Sequence, residues 1–318
     1  KIMLAYTGNV KYPDGSRTAY QCLAQENAHG GYDKLGPVLP LPPGYSGHVR
    51  DPKVWRHQDN WYMVLGARDL QDRGKVLLLR SAELRNWQLL GEIAGSQLNG
   101  IGDFGYMWEC PDLFTLDGAE VLICCPQGLA AEAERYLNVY QAGYFTGRLD
   151  YRQATFEHQD FHELDAGFEF YAPQTTLTED GRRLLVGWMG VPEQDEDCHP
   201  TLQYGWIHIL TCPRELSLHN GRLCQRPARE LQQLRGENRQ WQGTADDAPC
   251  WPVDSAELLL APNGAFNADF GGAMALNWDG TVLRLTRNNL RSGQPEHRYW
   301  RGELTQLQIL FDRSSVEI

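Results

Sequence analysis

The sequence predicts an all-β fold, and three observations carry that reading. Turn dipeptides recur between β-rich runs: Asp-Gly at 14–15, 117–118, 180–181 and 279–280, and Asn-Gly at 99–100, 220–221 and 263–264. Such pairs favour the positive backbone angles of tight hairpin turns. Long apolar patterns of period 3.6 are absent, the best helical candidate being the short PARELQQLR over Pro227–Arg235. Thirdly, RDPKVW, ECPDLF and YAPQTTL each set a proline before a hydrophobic run, and Pro52, Pro111 and Pro173 stand 59 and 62 residues apart.

Taken in order, KIMLAYTGNV reads as the interior of a strand. DLFTL-DG-AEVLICC and TTLTE-DG-RRLLVGWMG read as hairpins, and AMALNW-DG-TVLRLT as a third near the C-terminus. A repeat of about 60 residues holding about four strands fits the blades of a β-propeller. Proline cannot donate to a sheet ladder, so it marks a strand start or edge, and the residue before it is expected to be extended. If each proline opens an innermost strand, Asp51 and Glu109 face one axial cavity from successive blades. On spacing alone, three unrelated strands explain the pattern equally well. Past Leu218 the sequence turns polar, and beyond it AELLLAP, GGAMALNWDGTVLRLTRNN and LTQLQILFDRSSVEI read as further hairpins. The expected organisation is a propeller over 1–215, a linker with the short helix over 216–240, and part of a β-sandwich over 241–318.

Bulk composition excludes some function classes. Lys plus Arg number 29 against 41 Asp plus Glu, a formal charge of −12, which suits neither nucleic acid nor an anionic membrane surface. No apolar stretch approaches the ~20 residues that span a bilayer. The N-terminal residues lack the charged start, apolar core and cleavage site of a signal peptide, and a targeting segment upstream stays open. The 8 cysteines are scattered without a CxxC, and are expected as free thiols of a reducing compartment, the cytoplasm. His208 and Cys212 stand four apart, but in a strand-like stretch that spacing does not converge on a metal, so neither a metal nor a cofactor is expected.

Glu109 lies in FGYMWECPDLF, a setting unusual for a carboxylate. Burial among apolar groups would raise its pKa and keep it a proton donor near neutral pH. A buried Glu paired with an Arg for structural reasons is the competing reading. Asp51 follows Arg50, whose charge is expected to favour the ionised form; most Asp-Pro pairs merely open a strand or turn. Tyr171, Gln174 and Trp188 would supply an aromatic wall and an amide to a polyol, or else are core residues of a blade. Cys110 is expected to pack.

HVRDPKVW (48–55), WECPDLF (108–114), FEFYAPQTTL (168–177), GRRLLVGWMG (181–190), LTCPREL (210–216) and ILFDRSSVEI (309–318) occur in one order. Together they resemble the signature segments of glycoside hydrolase family 32, the invertases and sucrose-6-phosphate hydrolases. The resemblance covers essentially the whole chain. It implies a five-bladed β-propeller followed by a C-terminal β-sandwich. It also implies retaining β-fructofuranosidase chemistry, with Glu109 as acid/base and Asp51 as a transition-state stabiliser that does not attack. Arg50 would join the sugar-binding shell with Tyr171, Gln174 and Trp188. The implied partner is a small sugar, sucrose or sucrose 6-phosphate, with no oligomeric state indicated.

One departure matters. The family's nucleophile is the Asp of a W-M-N-D-P-N-G-like segment, and the only Asp-Pro here is at 51–52. The expectation is therefore a chain that begins in the second blade, ends within the sandwich, lacks the nucleophile, and is inactive by itself. Alternatives are an inverting five-bladed propeller glycosidase, a carbohydrate-binding propeller without catalysis, and an interaction scaffold. Phosphate on the substrate would call for Lys or Arg at the pocket rim, for which Lys53, Arg135 and Arg148 are candidates.

Overall fold

The computed structural model describes residues 1–247, 249–252 and 254–318. Four antiparallel sheets follow one another along the chain. The first comprises β1 (Met3–Lys11), β2 (Arg17–Glu26) and β3 (Tyr32–Leu39). The second is β4 (Tyr45–His57), β5 (Asn60–Asp69), β6 (Gly74–Ser81) and β7 (Gln88–Gly95), in that spatial order. The third is β8 (Met107–Leu116), β9 (Ala119–Gln127), β10 (Gly143–Asp150) and β11 (Thr155–His158), with the short β12 (His162–Glu163) beside β10. In the fourth, β13 (Tyr171–Leu177) pairs β14 (Arg183–Met189), which pairs both β15 (Ile209–Leu210) and β16 (Arg214–His219); β17 (Arg222–Pro227) closes it. Sequential antiparallel sheets, here of three to five strands, packed face to face are the blades of a β-propeller.

Burial explains why the blade strands read as nearly unbroken apolar runs. Alternate residues of β5 point to opposite sides of its sheet. Tyr62 and Val64 join Val76, Leu78, Trp108, Leu122 and Phe145 in the core between the second and third sheets. Met63, Leu65 and Ala67 join Leu39, Val49, Leu77 and Leu79 between the first and second. A third core of Phe114, Ile123, Tyr144, Leu185 and Leu216 lies between the third and fourth. The second and third blades are thus apolar on both faces, and there the alternation of polar and apolar residues is lost.

Close packing demands glycine at one point that bears on the site. A Cβ on Gly66 of β5 would stand 2.1 Å from the carbonyl oxygen of Trp108, the residue before Glu109. Gly66→Ala is expected to destabilise the fold by about 1–3 kcal/mol, the usual range for overpacking against backbone, and to lower activity by displacing Glu109. Chemical denaturation and steady-state kinetics measure the two effects, and a neutral outcome in both would show that the blades are not held this closely.

The fourth blade extends past the expected boundary at 215. Arg214–His219 and Arg222–Pro227 pair as β16 and β17, so the stretch from 216 to Pro227 belongs to the blade rather than a linker. The expected helix is a short 3-10 segment, Arg229–Leu234. Beyond it, β18 (Ala256–Leu260) pairs β23 (Leu307–Asp312), itself paired with β24 (Ser315–Glu317). The other sheet orders β19 (Phe266–Phe270), β20 (Met274–Trp278), β21 (Val282–Asn288) and β22 (Pro295–Arg301). Leu276, Trp278, Leu283, Leu307 and Ile309 pack between these two sheets as a sandwich core. Arg214 ties the two parts together, reaching Asp165 in the propeller and Glu317 in the sandwich at 2.9 Å each.

The residues preceding the three prolines are not extended. Asp51, Cys110 and Ala172 have φ of 66°, 49° and 45°, in the left-handed region. In each strand the pairing register shifts there: between Arg50 and Lys53, Glu109 and Asp112, and Tyr171 and Gln174. The physical reason is a β-bulge, which adds residues without ladder partners and turns the strand. A left-handed side-chain-bearing residue costs on the order of 1 kcal/mol. Three blades carry that strain at one equivalent position, and all three bulges meet at the centre.

Candidate active site

The bulges bring β4, β8 and β13 together in three rungs of contacts between residues 59 to 63 apart in sequence. In the first, Arg50 donates from Nε at 2.8 Å and Nη2 at 2.5 Å to Oε1 of Glu109. Tyr171 donates its hydroxyl at 2.7 Å, and Gln127 its amide at 2.8 Å, to Oε2. His48 Nδ1 lies 3.0 Å from Arg50 Nη1. In the second rung the Cys110 N–H donates to Asp51 Oδ2 at 3.0 Å, while the Asp51 N–H donates to Thr7 Oγ1 at 3.1 Å. Thr7 in turn donates to Gln21 at 2.8 Å, and Gln21 to the Val49 carbonyl at 3.1 Å.

The third rung is Lys53, Asp112 and Thr175. Lys53 Nζ donates to Asp112 Oδ2 at 2.9 Å, the Thr175 carbonyl at 2.6 Å and Gln174 Oε1 at 3.2 Å. Thr175 donates its N–H at 2.7 Å and its hydroxyl at 2.9 Å to the same Asp112 oxygen. Exposure separates this rung from the others. The Asp112 side chain is sealed at 0% accessible, whereas Glu109 keeps 15% and Asp51 30%. Asp112 reads as a structural tie, and Asp51 and Glu109 as carboxylates open to a ligand. Lys53→Met would leave the Asp112 carboxylate with the Thr175 donors alone. We expect a loss of about 2 kcal/mol in unfolding free energy, below the range for a fully buried pair because Lys53 is partly exposed. A loss under about 0.5 kcal/mol on denaturant titration would mean the tie contributes nothing.

Two electrostatic expectations change. Arg50 pairs with Glu109 across the blades, and its Nε stands 4.0 Å from Asp51. Nor does Arg50 hold the Asp51 pKa low. Burial raises it above the ordinary aspartate value, helped by the charge of Glu109 and only partly relieved by the Cys110 N–H and Arg50. Burial likewise pushes the Tyr171 phenol far up, with the Cys125 and Glu109 charges adding to it, so Tyr171 donates its proton and keeps it. Cys110 packs as expected, its thiol raised by the hydrogen bond it donates to the buried Cys125 and by its own burial.

Gln174 and Trp188 stand beside the site's residues, whereas none of the three candidate rim cations is offered at its rim. Gln174 reaches Lys53 and, at 3.4 Å, the Cys110 carbonyl. Trp188 pairs with Tyr171 across β13 and β14. Lys53 is consumed by the structural rung rather than offered at a rim. Arg148 lines a separate cleft of about 510 Å³ with His57 and Tyr151, and Arg135 donates to the Tyr136 hydroxyl and the Phe161 carbonyl. The readings from sequence missed Thr7, Gln21, Gln127 and His48. Thr7, Gln21 and Gln127 come from other strands and His48 stands two residues before Arg50 on β4; none carries a local signal for its role, and only the folded contacts reveal them.

Known proteins bear on the same residues. The family description "Glycosyl hydrolases family 32 N-terminal domain" matches residues 1–227. The chain belongs to glycoside hydrolase family 32. It is 58% identical to a sucrose-6-phosphate hydrolase of Salmonella typhimurium, over all of this chain and 67% of that relative. A Bacillus subtilis protein of the same description is 44% identical, over all of this chain and 68% of that relative. Among solved structures, the family 32 β-fructofuranosidase of Bombyx mori superposes with a TM-score of 0.79 at 32% identity, covering 99% of this chain and 68% of that one. The sucrose-6-phosphate hydrolase of Lactobacillus gasseri gives 0.82 at 26% identity, covering 98% and 67%. The present chain thus spans about two thirds of the length of these family 32 relatives. It is a glycoside hydrolase chain with a propeller fold.

Proposed function

We propose that the full-length protein is a retaining β-fructofuranosidase that cleaves sucrose 6-phosphate, with sucrose as a second substrate. The observation that carries this is the placement of two solvent-reachable carboxylates, Asp51 and Glu109, on adjacent left-handed bulges facing one centre. The relatives described as sucrose-6-phosphate hydrolases support the choice of substrate. Free cysteines and a phosphorylated substrate fit a cytoplasmic protein.

In this reading Glu109 protonates the glycosidic oxygen as the bond to the fructosyl carbon breaks, its electron pair going to that oxygen. A carboxylate attacks the same carbon from the opposite face and forms an ester. Among the described residues we find no third open carboxylate at this centre for that attack, and we place it outside residues 1–318. Glu109 then takes a proton from water, which attacks and releases fructose. Asp51, when ionised, accepts hydrogen bonds from fructosyl hydroxyls and stabilises the positive charge that develops at the transition state. Arg50, Tyr171 and Gln127 saturate both oxygens of Glu109 in the free chain. Substrate must therefore displace one donor, and Arg50 is the one with a sugar hydroxyl to go to.

The test is an assay of the full-length protein for hexose release from sucrose 6-phosphate and from sucrose. The expected result is turnover of both, with the larger kcat/KM for the phosphorylated sugar. Fructose binding without turnover of either would instead identify a carbohydrate-binding propeller.

A further inference from the structure

His48 stands two residues before Arg50 on β4. Residues two apart in a strand project to the same side, and Val49 between them packs in the core between the first and second sheets. The two polar side chains therefore emerge together, and Arg50 Nη1 lies 3.0 Å from His48 Nδ1. A guanidinium nitrogen can only donate, so Nδ1 is the acceptor. The contact thus fixes a chemical state: the His48 ring is neutral and carries its proton on Nε2. Its surroundings favour that state. Burial first, and then the charges of Arg50, of Arg17 on β2 and of Arg68 on β5, hold the imidazole below the ordinary histidine range, against the opposing charge of Glu109 on β8. The backbone here is also tied down, the His48 N–H donating to Ser46 Oγ at 3.3 Å and Ser46 to the Arg68 carbonyl at 3.0 Å.

Arg50 needs an anchor because two carboxylates compete for it. Its Nε and Nη2 hold Oε1 of Glu109, while Nε also stands 4.0 Å from Asp51 Oδ2. In the reading given above, Arg50 leaves Glu109 for a sugar hydroxyl. A guanidinium released with no other hold would settle on Asp51 and quench the charge that stabilises the transition state. We propose that His48 is the positioning residue for Arg50: its neutral Nδ1 keeps Nη1 in place while the Nε–Nη2 edge is exchanged between Glu109 and substrate. A neutral acceptor suits this role, because it orients the cation without adding a third negative charge to the two carboxylates. Protonation of His48 removes the acceptor and sets one cation against another. This assignment rests on the hydrolase reading.

The test compares four variants of the full-length protein: His48→Leu, His48→Asn, Arg50→Met, and His48→Leu combined with Arg50→Met. Leu fills the site without an acceptor. Asn sets its side-chain oxygen as many bonds from Cα as Nδ1 is, and does not titrate. His48→Leu should lower kcat/KM for sucrose by about 10–100-fold, the worth of a hydrogen bond to a charged group. His48→Asn should recover most of that loss. In the Arg50→Met background, His48→Leu should cost less than about 2-fold, because no guanidinium is left to hold. The acid limb of kcat/KM for His48→Asn should lie at lower pH than the parent's, or fall less steeply, one titrating group having been removed. An undiminished loss in the Arg50→Met background, no rescue by Asn, or an unchanged acid limb would each overturn the proposal. Failure of the unmodified protein to hydrolyse any fructoside would instead sink the hydrolase reading. The same cycle of variants, read in unfolding free energy, then still decides whether His48 holds Arg50: coupled losses support the contact, and additive losses overturn it.

Discussion

Replacing Glu109 by Gln in the full-length protein should lower the rate on sucrose by at least ~10²-fold, the low end for removal of a positioned acid. Gln preserves the size of the side chain and its one oxygen can still accept from Arg50, so the fold should survive. What it cannot do is give a proton to the departing glucosyl oxygen. The size of the loss should therefore depend on the leaving group. A fructosyl fluoride, whose leaving fluoride needs little protonation, should lose far less in its first step than sucrose does. Single-turnover measurements on the two substrates separate this from general damage. Equal losses would remove Glu109 from the acid role and leave it as the Arg50-paired structural carboxylate that the sequence also allowed.

Asp51→Asn should act in opposite directions on turnover and stability. The carboxylate sits where positive charge develops on the sugar, and removing a preorganised electrostatic group of that kind costs about 10²–10³-fold in kcat. Yet the same carboxylate is held partly out of water beside Glu109, which raises its pKa. A carboxyl with a raised folded-state pKa is a burden on the fold once it ionises. The penalty is absent below the ordinary aspartate value near ~4, grows as pH climbs from there through the raised value, and is constant above it. Asn carries no charge, can accept from the Cys110 N–H in the same place, and tolerates the left-handed backbone at this position. The variant should therefore melt higher than the parent at pH 7 and no higher near pH 3. A lower melting temperature at pH 7 would mean that Asp51 is a structural strand-opening residue. For the parent, turnover should fall on acidification through the raised value as Asp51 takes up its proton.

What the sequence made legible was the part written in local chemistry. Asp-Gly pairs at 117–118 and 180–181 join β8 to β9 and β13 to β14. The 59- and 62-residue spacings of the prolines became contacts at the same separations, from Arg50 to Glu109 and from Glu109 to Tyr171. What remained illegible depended on tertiary context. Proline's rule that its predecessor be extended gave way to bulges, whose register is set by neighbouring strands. Arg50 beside Asp51 in sequence implied a pair, but adjacent residues in a strand project to opposite sides, and the guanidinium found Glu109 one blade away. Lys53 looked like a rim cation until Asp112 and Thr175 appeared around it.

The roles given to Glu109 and to an attacking carboxylate meet in a single measurement. With Glu109 replaced by Ala, a fructosyl fluoride can still form the ester intermediate, but water lacks a base to attack it. Azide needs no base. Adding azide to the full-length Glu109→Ala variant should restore turnover and yield a β-fructosyl azide, because two inversions at the same carbon retain its configuration. Recovery of the inverted azide, or no azide effect at all, would contradict Glu109 as the acid/base of a retaining fructosidase.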